Sequence, residues 1–203
     1  GTASSGASGY IQIATGSATN GEGGDILVSV GKSKTDPGGD VVVTAGHSEP
    51  FSGGAISIAS GEGTTDTSGA IIVKTMNAGV SGVSGMLSFT SGTASSGTSG
   101  HFNIFTGSAT NGKGGDMLLS IGSGTTKTGG DIVMTAGLST ATSVGTGGAI
   151  SVSTGEGEST SSGALIVATV NAGTSGVSGA LRFTSGTASS GASGYIQIAT
   201  GSA

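Results

Sequence analysis

A short glycine-bounded unit, repeated thirteen times, constrains the fold of this 203-residue chain more than any other feature. In each unit a Gly and one further residue precede an apolar–any–apolar alternation, which is usually followed by small residues and another Gly, as in GYIQIATG and GDVVVTAG. The units begin at Tyr10, Asp25, Asp40, Ala55, Ala70, Met86, His101, Asp116, Asp131, Ala149, Ala164, Ala180 and Tyr195. Nine of the twelve steps between them are 15 residues, two are 16 and one is 18. Spacing this regular indicates stacked copies of one small structural element.

The alternation inside each unit predicts the local structure. A period of two is typical of a strand with one buried face, here formed by residues such as Ile26 and Val28. Helices are disfavoured because each interior Gly costs a helix about 1 kcal/mol relative to Ala. Fifteen residues can hold two short strands and two turns. We therefore predict an all-β fold, a narrow β-solenoid (β-helix) with coils of about 15 residues, in-register ladders between coils and no helices.

A second and longer period lies above the first. Residues 1–31 and 92–122 are identical at 22 of 31 positions. We predict one continuous solenoid over 1–203, with a first six-repeat unit at 1–91, a second at 92–185 and the start of a third at 186–203. The second unit is three residues longer because GLSTATSVGTGGA replaces GHSEPFSGGA in one turn. The closing string GTASSGASGYIQIATGSA repeats the opening one, so we expect the two strings to be equivalent places in a continuing array.

Composition narrows the classes of partner. Gly, Ser and Thr supply 107 residues (44, 35 and 28), yet apolar clusters recur throughout and the mean hydropathy is +0.22, which argues against a flexible linker. The net charge of −5 comes from only seventeen charged side chains, which disfavours nucleic acid or an anionic membrane as a partner. No apolar run approaches the length of about 20 residues that a membrane-spanning helix needs, so we expect no membrane insertion.

Catalytic motifs are not found in the sequence. It contains no nucleophile elbow, no phosphate-binding loop and no Cys, and the two histidines, His47 and His101, do not recur in the repeats. The sequence therefore predicts a protein that is not an enzyme and that needs no organic cofactor.

The central outward position of each predicted strand suggests an assembly surface. Aliphatic residues occupy this position in three of the six repeats and return in the second unit, which predicts a periodic apolar stripe for lateral association. The alternative is that β-branched residues simply suit strands and that single exposed aliphatic residues are ordinary. The residues of the predicted assembly surface are Leu27, Val42, Ile72, Leu118, Val133 and Ile166.

Four aspartates are weak candidates for a metal site. Asp25 and Asp40 begin consecutive repeats after a Gly-Gly pair, as do Asp116 and Asp131. In-register stacking would place their like charges about 5 Å apart, and a Ca²⁺ ion would neutralise them. The alternative is that each Asp accepts backbone N–H bonds as the chain leaves a tight Gly turn.

The repeated strings GGDIVMTAG, SGAIIVKTMNAGVSGVSG and LRFTSGTASSGASG give the chain an architectural resemblance to a known class. It resembles the Gly/Ser/Thr-rich tandem-repeat β-solenoids of microbial extracellular fibres, surface hairs and giant adhesins. The resemblance implies a structural protein that forms or stiffens an extracellular or cell-surface filament, with itself as its main partner. The dense Ser and Thr hydroxyls also make an O-linked glycan a candidate partner.

Two other functions compete with a filament. Ice-binding solenoids present ranks of Thr on a flat face, but here the matching outward positions read Ala14, Ser29, Thr44, Ala59, Lys74 and Thr90, and the Lys interrupts the rank. An adhesin stalk would instead carry a separate binding module, and residues 1–203 show repeats only.

Overall fold

The predicted strands are not present in the structure. The computed structural model describes residues 1–125, 128–141 and 143–201, and over these residues the backbone forms no helix and no β-strand. Its course is irregular, with bends and two short turns at Val80–Ser81 and Thr174–Ser175. The predicted all-β fold, with its β-solenoid or β-helix coils and in-register ladders, is therefore wrong. The described chain is rich in coil and has no regular secondary structure.

In the described ranges the backbone hydrogen bonds do not connect successive repeats, as a solenoid would require. A ladder between successive repeats would join residues about 15 positions apart, whereas the backbone–backbone hydrogen bonds in the described ranges span three, eight or eleven residues. There are six of them, although a folded protein has roughly one hydrogen bond per residue, about two-thirds of them between backbone groups. The backbone groups of one repeat are thus not paired with those of the next.

The apolar side chains also fail to form a core. None of the described residues is buried, and even Ile26 and Val28, predicted to face inward, are more than half exposed. The chain exposes 20,224 Å², whereas a folded protein of its mass exposes about 8,300 Å² and an unfolded one about 27,000 Å². Fixing the backbone costs about 1–2 kcal/mol per residue. With more than half of its residues Gly, Ser or Thr, the chain has too little apolar area of its own to offset that cost.

Short closed loops are the local structure that the chain does form. In these loops the Gly that precedes an apolar segment returns to the end of the previous segment, and we call it the neck glycine. Four neck glycines donate their N–H to a glycine carbonyl eight or eleven residues earlier, as in the 2.9 Å bond from Gly54 N to Gly46 O. The others are Gly69 to Gly61 (3.0 Å), Gly148 to Gly137 (2.9 Å) and Gly163 to Gly155 (3.0 Å). Loops of this size with adjacent ends resemble Ω-loops.

Close approach at the neck explains the preference for glycine. A Cβ added to Gly24 would lie 3.1 Å from Thr15 Cβ, and one added to Gly39 would lie 2.8 Å from Val30 Cγ1. Because these contacts leave little or no space for a side chain, glycine permits the loop to close. Thr15 Oγ1 also donates a 2.7 Å hydrogen bond to the Gly24 carbonyl, which holds that loop shut.

The chain divides into two compact units, Gly1–Asn103 and Ile104–Ala203. One glycine has a similar backbone conformation at corresponding positions of the six-repeat units. Gly6, Gly97 and Gly191 have φ values of 89°, 102° and 101°, in the left-handed region that glycine occupies most readily.

The three-residue insertion of the second six-repeat unit lies inside the loop closed by Gly137 and Gly148. That closing bond has the same length as its counterpart in the first unit, so the loop accommodates the insertion without opening its neck.

We expect Gly63→Ala to loosen the loop that Gly69 closes. The added Cβ would lie 2.5 Å from the Asp66 carbonyl oxygen and would also overlap the Thr67 backbone, so residues 61–69 must shift. Loss of one hydrogen bond, about 1 kcal/mol, should raise hydrogen exchange at the Gly69 amide about fivefold by NMR. Gly61→Ala in the same loop is the control, because nothing lies within 4 Å of a Cβ there. Equal exchange rates in the two variants would contradict this account.

Candidate assembly surface

The six residues predicted to form the assembly surface lie on the most exposed side of their segments. We call them the outward row. Their exposed fractions are 76–87%, whereas the residues immediately before and after each of them are 50–72% exposed. In these six segments the two sides therefore differ in exposure even without a strand, whereas Ile11 and Ile13, which flank Gln12 in the first segment, are 93% and 76% exposed. The outward row comprises Leu27, Val42, Ile72, Leu118, Val133 and Ile166.

The outward row is spaced by the longer repeat. Leu27 and Leu118 are 91 residues apart, as are Val42 and Val133, while Ile72 and Ile166 are 94 apart because the insertion lies between them. Each six-repeat unit thus presents three aliphatic side chains in the same order. Nothing in the described part of the chain buries them, so they are accessible to another molecule.

Two aromatic rings that the sequence analysis did not predict to be in contact stack beside one loop. The rings of Phe89 and Phe102 have centroids 6.3 Å apart and planes inclined by 29°. Gly100 is the neck glycine of this loop, and a Cβ on it would lie 3.6 Å from Ser91 Cβ. Phe89 lies two residues before Ser91, and Phe102 lies two residues after Gly100. Stacked aromatic pairs contribute about 0.5–1.5 kcal/mol beyond their buried area. Their equal distance from the two ends of the loop is a sequence signal that could have predicted the contact.

The four candidate metal ligands are not brought into a shared site. Across the described ranges, no group of three or more His, Cys, Asp or Glu residues could hold a metal ion. Asp116 instead forms an ion pair with Lys113, whose Nζ lies 2.7 Å from Oδ1 and 2.8 Å from Oδ2. Ca²⁺ takes six to eight oxygen ligands, so the carboxylates of Asp25, Asp40 and Asp131 would need further oxygens. Calcium binding stays a hypothesis from the sequence.

Charge differs between the two units at positions where the backbone repeats. The string NGEGGD of the first unit carries Glu22, and the matching string NGKGGD of the second carries Lys113. A polar contact between His47 Nε2 and Glu49 Oε1, at 3.4 Å, involves residues that are replaced by Leu138 and Thr140 in the second six-repeat unit. Exposed pairs of this kind contribute about 0–1 kcal/mol each. They therefore distinguish the two surfaces without stabilising the chain appreciably.

Comparisons with known proteins found no match, so the repeats and the exposed surface are the basis on which a function can be proposed. The chain matches no protein-family model, and no curated protein or solved structure is similar to it. In the ranges that the structure describes, no helix has both the length and the apolar character needed to cross a membrane.

We expect an apolar dye to detect the outward row. The environment-sensitive fluorophore ANS reports exposed apolar surface, and dilute protein should increase its fluorescence. The variant Leu27→Asn/Leu118→Asn should lower that signal, because it removes two aliphatic side chains that are each 87% exposed. Ser57→Asn/Ser151→Asn is the matched control, since it places the same amide at outward positions that are already polar. The row would not be the dye-binding surface if both variants lost the same fluorescence.

Proposed function

We propose that this chain is a structural protein that associates with copies of itself, through the outward row, into a filament at the cell surface or outside the cell. The observation that carries the proposal is the exposed area of 20,224 Å². It exceeds the area expected for a folded chain of this mass by about 12,000 Å². Association with other copies would cover part of this surface.

The apolar residues of the row are sufficient in number to drive such association. Burying one Leu, Val or Ile side chain stabilises by about 1.5–3 kcal/mol. Six of them together supply on the order of 10 kcal/mol, which is comparable with the cost of about 4–15 kcal/mol for bringing two molecules together. A standard interface covers about 800 Å² on each partner, which is a small part of the area this chain exposes.

Low charge and repetition both favour lateral growth. Seventeen charged residues in 203 leave few like charges to keep copies apart. Each six-repeat unit presents the same three aliphatic residues, so a contact made by one unit can be made again by the next. Contacts that join different parts of identical chains continue as open filaments when they do not close into rings.

The extracellular location is supported by a different argument. The repeated strings and their Gly/Ser/Thr composition resemble those of microbial extracellular fibres and surface hairs. The chain also contains no Cys, so such a filament would be held by noncovalent contacts and not by disulfides.

Removing the outward row should prevent assembly. The variant Leu27→Asn/Val42→Asn/Ile72→Asn removes three exposed aliphatic residues, and we expect it to raise the critical concentration for assembly at least tenfold, measured by sedimentation and light scattering. The matched control is Val80→Asn/Val83→Asn/Val177→Asn, which removes valines that are as exposed but lie outside the row. The control should assemble as the wild type does. A wild type that stays monomeric at every concentration would refute the proposal.

A further inference from the structure

Charge placement distinguishes the ways in which two copies could meet. Six basic and eleven acidic side chains are spread over the chain. If two parallel copies lay side by side in register, every one of these charges would face the same charge on its neighbour. Such oppositions are unfavourable, and no described charged residue is buried away from them.

The outward row permits one other alignment. A displacement by a single repeat would place Val42 opposite Ser57 and Leu27 opposite Gln12, which mismatches apolar and polar side chains. A displacement by a whole six-repeat unit instead places Leu27 opposite Leu118 and keeps the remaining pairs of the row aliphatic. Parallel displacements of two to five repeats likewise oppose Leu27 or Val42 to a Ser or Asn. Of the parallel alignments within one six-repeat unit, the in-register alignment and this displaced alignment are therefore the two that cover the row.

The displaced alignment also relieves the charge conflict. Glu22 then meets Lys113, and Asp36 corresponds to Lys127, a residue outside the described ranges whose sequence position repeats the reversal. Like charges still correspond at three places, Asp25 with Asp116, Asp40 with Asp131, and Glu62 with Glu156. Every other charged residue of the two overlapping units meets an uncharged one. Seventeen like-charge oppositions in register are reduced to three.

The geometry of the two loops supports the contact between Glu22 and Lys113. Both residues are exposed and lie two positions before a neck glycine. At the two necks the same residue types lie close together: a Cβ on Gly24 would lie 3.1 Å from Thr15 Cβ, and one on Gly115 would lie 3.4 Å from Thr106 Cβ. Of these two threonines, only Thr15 also donates a hydrogen bond to its neck carbonyl. In the described part of the chain Glu22 forms no ion pair. Its carboxylate is thus accessible to a cation from another molecule.

We infer that the outward row is covered by a second copy of this chain, parallel and displaced by one six-repeat unit, with Glu22 of one copy against Lys113 of the next. The inference rests on the proposed function and specifies its register. Each added copy leaves one unit uncovered at its end, so the displaced contact continues along the filament and does not close on itself.

Charge-reversal variants test this register. E22K places Lys opposite Lys113, and K113E places Glu opposite Glu22, so each alone should raise the critical concentration about 2- to 10-fold in low salt. The double variant E22K/K113E should restore the wild-type value, because the pair is attractive again with its signs exchanged. An equimolar mixture of the two single variants should restore it too, since each then finds its complement on the other chain. E49K is the control: it changes the charge as E22K does but faces Thr140, and it should have less than a twofold effect.

The outcomes separate the register from the proposed function. Wild-type assembly without rescue by the double variant or the mixture would overturn the displaced register alone. If the double variant restored assembly but the mixture did not, residues 22 and 113 would interact within one chain. The inference that a second copy covers the outward row would then be overturned. In about 1 M salt, where screening acts over about 3 Å, the differences between variants should disappear, and their persistence would also overturn the inference. Failure of the wild type to assemble would refute the proposed function itself.

Discussion

The approach of a neck glycine to the end of the preceding apolar segment is the contact on which the described structure depends. At Gly54 and Gly69 it includes a hydrogen bond to a glycine carbonyl, and at Gly24 it brings the backbone against the Thr15 side chain. Closing a loop within the repeat uses the backbone groups near its neck and leaves the segments between loops unpaired. Over the described residues, this local closure accompanies the exposed apolar side chains and the absence of a core.

The sequence predicts which residues share a side but not what covers them. In Ile26–Leu27–Val28 the central residue is the most exposed, as a period of two requires. A strand also needs a neighbour to accept its hydrogen bonds, and periodicity carries no information about where that neighbour lies. The predicted solenoid assumed that this neighbouring strand was the next repeat of the same chain. The structure shows instead that four loops are closed by a hydrogen bond between glycines of the same repeat, and the Gly before every apolar segment was the sequence signal for such closure.

The candidate surface was partly accessible to the same reasoning. The positions of the outward row follow from comparing repeats six apart, whereas the ion pair between Lys113 and Asp116 depends on a loop conformation that composition does not specify. The replacement of Glu22 by Lys113 is visible in the sequence. The structure adds that both loops bring a Thr close to the neck glycine, at Gly24 and at Gly115, so the two charges occupy similar places.

Repetition creates a problem of register that the rare charges can solve. A chain of near-identical repeats offers many alignments to a second copy, and apolar residues discriminate weakly among them because they are neither directional nor signed. Opposite charges at Glu22 and Lys113 penalise the in-register alignment while leaving the matched row of Leu27 and Leu118 intact. In a surface with only seventeen charges, one reversal alters a large share of the electrostatic interaction between copies. A few charges can therefore specify how two copies align, while the repulsion between like charges stays small enough for the outward row to drive association.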